Sequence, residues 1–260
     1  KGTQIVLDFP SVGATENLLM TATIISGKTI IKNAAIEPEI TDLANFLVKI
    51  GADIKRIGSK TLEIKAERKL TGCSEGYKII PDRIETGTFI VASSITSGDI
   101  KISNAIFEHN ESLIEKIKLT GAKISTTNKI LRVTGSKKIK SIDAETQVYP
   151  GFATDLQPPF AVLLTQVPGL TLVHETIFEG RLFYVDLLNR MGANIILCDP
   201  HRALIQGPTP LRGKKLESPD IRAGIAMVIA GLIAEGETVI DNIYQIERGH
   251  ENIEARLKML

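Results

Sequence analysis

Cysteine is scarce. The 260-residue chain has two, Cys73 and Cys198, far apart in sequence. That is too few for the disulfide framework that holds small secreted domains together, so a reducing, cytoplasmic setting is expected. Neither sign of charge is in excess. Thirty-one basic residues against 30 acidic ones leave a formal net charge of +1, whereas a dedicated nucleic-acid binder carries a basic excess or stripe. The histidines, His109, His174, His201 and His250, are scattered. Neither they nor the cysteines stand at metal-ligand spacing, so no metal site is expected. No apolar run reaches the length that crosses a bilayer. The longest candidate, residues 223–234, is short and interrupted by glycines. We therefore expect neither a secretory signal nor a membrane partner.

What is present is ordinary globular composition, 43% hydrophobic and 23% charged. The length suffices for one large domain or two ordinary ones with well-buried cores. The chain begins at Lys1 in a strand-like run and stops at Leu260 inside an amphipathic pattern. Both ends read as cut from something longer.

The strongest pattern is an internal repeat. Gly-Ala-x followed by Ile begins at Gly51, Gly121 and Gly192, spaced 70 and 71 residues apart. A glycine opening a β-like run recurs at Gly27, Gly98, Gly169 and Gly236, spaced 71, 71 and 67. Each unit reads as a short strand (residues 4–8, 77–80), a helix (14–25, 85–95), a second strand, a second helix (41–50, 112–119) and two closing strands (54–57 and 61–66). Gly51, Gly121 and Gly192 stand where a helix ends in left-handed backbone. The unit is β-α-β-α-β-β. Three copies are complete, and a fourth, from about residue 214, lacks its last strands.

Polar residues recur at the unit boundaries. Ser11, Asp82, Asp155 and Asp220 precede the first helices and are preferred N-cap types. Ser11-Val12-Gly13 makes a small open turn at a helix N-terminus, where backbone N–H groups and the helix dipole can hold phosphate. Asp155 ends the loop Val148-Tyr149-Pro150-Gly151-Phe152. A carboxylate there can serve as a general base or simply cap the helix. Arg83 and Arg222 begin first helices, where a cation opposes the dipole. Arg181 and Arg248 occupy matching places in the third and fourth units. Such arginines can share an anionic ligand, which their guanidinium forks suit, or form surface ion pairs.

The segments FPSVGATENLLM (9–20), NAAIEPEITDLANFL (33–47), PDRIETGTF (81–89), FATDLQ (152–157), ETIFEGR (175–181), SPDIRAG (218–224) and IERGHENIE (246–254) carry a resemblance. In order and over essentially the whole chain they resemble the UDP-N-acetylglucosamine enolpyruvyl transferases. PDRIETGTF and the ATDLQ–ETIFEGR pair favour that family over its relative, 5-enolpyruvylshikimate-3-phosphate synthase.

The resemblance implies an inside-out α/β barrel fold of six such units in two lobes, with the active site in the cleft between them. Residues 1–76 would be the last unit of the first, cysteine-loop domain. Residues 77–260 would be three units of the second, the last of them truncated. The implied reaction moves enolpyruvate from phosphoenolpyruvate to the 3-hydroxyl of UDP-N-acetylglucosamine, the first committed step of peptidoglycan synthesis, without a cofactor. By the same resemblance Asp155 is the general base and Arg248 contacts phosphoenolpyruvate. Ser11, Val12 and Gly13 hold the diphosphate, Ile177 and Phe178 line the nucleotide-sugar site, and Arg83, Arg181 and Arg222 stand in the cleft. The family's catalytic cysteine loop, with its neighbouring arginine, and a lysine and asparagine near its start are absent from this sequence. The expected partner is therefore the missing N-terminal half, and the chain alone is expected to be inactive. Phe9 and Tyr149 stand where some members have lysine and histidine. The alternatives are a non-catalytic repeat scaffold and the shikimate-pathway enzyme.

Overall fold

The computed structural model describes residues 1–66 and 69–260. The chain forms two units, Lys1–Ile80 and Pro81–Leu260. The division falls after Ile80 rather than after residue 76. Tyr77 stays with the first unit because its hydroxyl donates to Asp42 Oδ1 at 2.8 Å and its ring meets Phe46 edge-on at 5.3 Å. Residues 77–80, expected as a strand opening the second unit, form none.

The first unit runs β1 (Gln4–Val6), α1 (Val12–Ala22), β2 (Gly27–Lys32), α2 (Pro38–Lys49), β3 (Asp53–Ile57) and β4 (Thr61–Ala66). Both helices start earlier than their apolar spacing suggests. Ser11 caps α1 by accepting the Ala14 N–H, and Pro38, whose fixed φ suits the first helical position, opens α2. Gly51 ends α2 at φ +108°, a conformation other residues adopt only with strain. The sheet order is β1-β2-β4-β3, with β1 and β2 parallel and the remaining pairs antiparallel. Its core gathers Leu19, Ile31, Ile40, Leu62 and Ile64.

In the second unit the plan recurs. The elements are α3 (Arg83–Ile95), β5 (Asp99–Ser103), α4 (Glu111–Thr120), β6 (Lys123–Thr127), β7 (Ile130–Thr134), β8 (Ala144–Glu145), α5 (Gln157–Leu164), β9 (Gly169–His174), α6 (Tyr184–Arg190), β10 (Asn194–Asp199) and β11 (Arg202–Gly207). They are followed by β12 (Lys215–Glu217), α7 (Ile221–Gly231), β13 (Val239–Asp241), α8 (Tyr244–Glu247) and α9 (Ile253–Leu257). Strands β8-β9-β11-β10 repeat the order of the first sheet, with the same parallel first pair. The registers correspond as well: Ile5 faces Ile31, Ala144 faces Val173, and Leu216 faces Ile240.

Helices α3, α5 and α7 are buried nearly all round and pack on one another. A helix without a polar face must sit inside a core. Every residue from Thr86 to Ser94 and from Gln157 to Leu164 is buried. Each large apolar side chain among them contributes about 1.5–3 kcal/mol. The strands outside them alternate, one face on the helices and one in water, as in β7 and β11. Helices within and sheets outside make this unit an inside-out α/β fold. Close helix packing needs small residues: a Cβ on Gly87 would lie 2.6 Å from both Leu156 methyl carbons.

Candidate functional site

The site is built at the N-terminal ends of the central helices, where the first backbone N–H groups lack intrahelical partners. Asp82 caps α3 by accepting from Ile84 and Glu85, and Asp220 caps α7 by accepting from Arg222 and Ala223. Asp155 is not a cap, contrary to the expectation from its spacing. It lies within a 3-10 turn, Thr154–Leu156, that runs straight into α5 through Leu156, which has helical backbone angles. With helical backbone on both sides, its carboxylate is released from the main chain and reaches across the unit.

There it meets two arginines. Asp155 Oδ1 accepts from Arg181 Nη1 at 2.7 Å and also accepts a hydrogen bond from Arg222 Nε. Burial alone would raise the carboxyl pKa, but the charges and hydrogen bonds of Arg222 and Arg181 outweigh it and hold it below the ordinary range. Burial pulls the Arg181 pKa down, with Arg222 adding to that and Asp155 opposing it. The Arg181 side chain is 12% exposed. Its Nη1 also donates to Thr154 Oγ1 at 3.1 Å, and its Cζ lies 4.2 Å from the centroid of the Phe178 ring. That stacking is a cation–π contact.

Asp155 and Arg222 open onto a hollow of about 190 Å³ lined also by Asp82, Ile84, Ile221 and His250. His250 is buried, its Nε2 3.1 Å from Thr88 Oγ1. The Thr88 hydroxyl already donates to Ile84 O at 3.0 Å, so His250 Nε2–H is the donor to it. Burial lowers the His250 pKa, partly countered by Glu85 and Asp82, while Arg256 lowers it further.

The remaining expected residues lie elsewhere. Arg248 is exposed at the end of α8, beside the Gly249 that lines the hollow, with its Nη1 3.2 Å from Gln245 Oε1. Arg83 is turned to a different, smaller recess, its guanidinium 5.6 Å from the Tyr149 ring centroid. Arg181 and Arg222 thus share Asp155, while Arg83 stands by Tyr149 and Arg248 by Gln245. Ile177 and Phe178 both donate their N–H groups to Glu175 Oε1, at 2.8 and 3.1 Å, which fixes the loop they belong to. Ser11, Val12 and Gly13 open α1 in the first unit. Gly13 is exposed, with open space where a Cβ would be.

Sequence reasoning missed Thr154, Glu175 and His250. Glu175 sits within ETIFEGR and is fully buried. The one signal in the sequence was a charged residue directly after an apolar strand, and that does not reveal burial. Among the described residues no group of three or more His, Cys, Asp and Glu could hold a metal ion, and no helix is long and apolar enough to cross a membrane.

A site of two arginines around one carboxylate, on helices of this repeat, can be compared with known proteins. The family described as EPSP synthase (3-phosphoshikimate 1-carboxyvinyltransferase) matches residues 1–257. The chain belongs to that family. Among curated relatives, a UDP-N-acetylglucosamine 1-carboxyvinyltransferase of Halothermothrix orenii is 48% identical over 99% of this chain and 61% of the relative. UDP-N-acetylglucosamine 1-carboxyvinyltransferase 1 of Caldanaerobacter subterraneus is 47% identical over 100% of this chain and 62% of the relative. The chain thus spans about three-fifths of the length of these relatives. In solved structures, the enolpyruvyl transferase NikO from Streptomyces tendae matches 100% of this chain and 64% of its own, with a TM-score of 0.89 at 22% identity. An EPSP synthase from Acinetobacter baumannii matches 95% of this chain and 60% of its own, with a TM-score of 0.68 at 21% identity. These likenesses show the enolpyruvyl transferase fold.

Proposed function

We propose that this chain is the larger part of an enzyme that transfers enolpyruvate from phosphoenolpyruvate to the 3-hydroxyl of UDP-N-acetylglucosamine. The observation that carries this reading is Asp155 bridging Arg181 and Arg222 beside an open hollow. The relatives at 44–48% identity bear the name of that activity.

Both proposed substrates are polyanions, and arginines in a partly water-excluded site suit them. In the reaction the sugar hydroxyl adds to C2 of the enol phosphate while the methylene carbon gains a proton. Loss of a proton from that carbon then expels phosphate and leaves the enol ether. Asp155 is assigned as the base that takes the hydroxyl proton. Held by two arginines it is a weak base. An anionic substrate that draws Arg181 or Arg222 to itself loosens those pairs and lets the basicity of Asp155 rise, so the base becomes competent once the substrate is bound. Arg248, at the rim of the hollow, is assigned to phosphoenolpyruvate. Ser11, Val12 and Gly13 are assigned to the diphosphate through the N–H groups that open α1, Ile177 and Phe178 to the nucleotide sugar, and Arg83 to the wider cleft.

The relatives are longer than this chain, and we place the acid for the methylene carbon in that additional length, on a cysteine-bearing loop. Residues 1–80 then close one domain and residues 81–260 build most of the other. Such an enzyme would work in the cytoplasm, supplying peptidoglycan synthesis, with no membrane or nucleic-acid partner. The test is substrate choice by the complete enzyme. Consumption of phosphoenolpyruvate should depend on UDP-N-acetylglucosamine. Dependence on shikimate 3-phosphate instead would assign the chain to the shikimate-pathway reaction, and dependence on neither would leave a scaffold.

A further inference from the structure

We propose that Glu175 is a positioning residue whose buried carboxylate sets, through Thr154 and Phe178, where Arg181 stands beside Asp155. The Glu175 side chain is fully buried and accepts hydrogen bonds only from donors that fix its surroundings. Its Oε1 accepts from Thr146 Oγ1 at 3.0 Å, Ile177 N at 2.8 Å and Phe178 N at 3.1 Å, and its Oε2 accepts from Thr154 Oγ1 at 2.7 Å. A buried carboxylate is costly unless its lone pairs are satisfied, so this arrangement is held firmly.

The consequence for Arg181 follows from counting hydrogens. A threonine hydroxyl has one, and Thr154 gives it to Glu175. What Thr154 offers Arg181 Nη1, 3.1 Å away, is therefore a lone pair held in one direction. The Phe178 N–H, tied to the same carboxylate, holds the residue whose ring lies 4.2 Å from Arg181 Cζ. Of the three groups around the Arg181 guanidinium, Thr154, Phe178 and Asp155, the first two are placed by Glu175. Arg222 arrives from α7 without any such support, so Glu175 acts on one arginine of the pair.

This inference rests on reading Asp155 and Arg181 as the reacting site, but its test needs no substrate, so its failure is separate from failure of that reading. The carboxyl carbon of Asp155 is titrated by NMR in the chain and in the Glu175→Gln, Arg181→Met and doubly substituted forms. The groups facing Asp155 are Arg181 and Arg222 in contact and Asp82 and His250 across the hollow, with Glu175 behind Arg181. Removing the negative charge of Glu175 would by Coulomb's law alone lower the pKa of Asp155. Displacing Arg181 raises it. We expect Glu175→Gln to raise it by roughly one unit, to capture most of the effect of Arg181→Met, and to add nothing in the Arg181→Met background. A fall, no change, or an equal rise in that background would overturn the inference, because a purely structural Glu175 lowers the melting temperature without moving Asp155 upward. If Glu175→Gln does not fold, Thr154→Val should raise the Asp155 pKa and Thr154→Ser should restore it. An unmoved Asp155 in folded Thr154→Val overturns the inference equally.

Discussion

Asp155 Oδ1 receives Arg181 Nη1 at 2.7 Å and takes Arg222 Nε on the same oxygen, so a single atom joins the loop after β9 to the start of α7. The repeat brings these residues together although they lie 26 and 67 positions from Asp155. An oxygen shared by two cations is a poor proton acceptor until one of them has another anion to bind, and the site's chemistry turns on that competition.

Replacing Asp155 separates its chemical role from its structural one. In the complete enzyme, Asp155→Asn should lower turnover on the order of a hundredfold or more. The amide keeps an acceptor oxygen, but Arg181, 12% exposed, loses its counter-charge, so stability should fall by about 1–3 kcal/mol. Steady-state rates and thermal melting of the same preparation decide it. Full turnover with a large loss of stability would mark Asp155 as structural.

His250 should make stability depend on pH between about 7 and 5. Its pKa is lowered in the folded state, chiefly by burial, from an ordinary value of 6.5. The unfolded chain therefore binds the proton first, and stability present above pH 6.5 declines as pH falls toward the folded value. The lowered carboxylates, such as Asp155, act in a separate window below about pH 4. His250→Gln should flatten the slope between pH 7 and 5 measured by chemical denaturation. An unchanged slope would show that another group is responsible.

Gly87→Ala should destabilise the second unit. The added methyl would lie 2.6 Å from both Leu156 methyl carbons and 3.0 Å from Leu113 Cδ2, and both leucines are buried. Their ends must move in a packed core, at a cost of about 1–3 kcal/mol. Because Leu156 follows Asp155 in the same turn, the Asp155 resonance should shift too. Thermal melting and the carboxyl spectrum check both points, and an unperturbed melt would mean that the helices have room to part.

The repeat was legible because its markers are backbone requirements. Gly51, Gly121 and Gly192 all adopt φ between +107° and +112°, and only glycine takes that conformation freely. Asp82 and Asp220 cap as their residue type suggests. What could not be read depends on tertiary partners. Residues 77–80 have a strand-like pattern, yet Tyr77 is bound to Asp42 and Phe46. Asp155 occupies a cap's place in the period, but a helical turn on both sides frees its carboxylate for arginines far along the chain. Glu175 looks like any surface acid until its four donors are seen: Ile177 and Phe178 from its own loop, Thr146 just after β8, and Thr154 in the turn before α5.

Phosphate release from phosphoenolpyruvate in the presence of UDP-N-acetylglucosamine tests most directly whether Asp155, with Arg181 and Arg222, forms the basic half of a transferase site. The measurement compares this chain alone, the chain combined with the additional length found in its relatives, and that combination carrying Asp155→Asn. We expect no turnover from the chain alone, turnover from the associated pair, and loss of about two orders of magnitude or more with Asp155→Asn. Turnover by the chain alone, no turnover from a folded and associated pair, or full turnover by Asp155→Asn would contradict it.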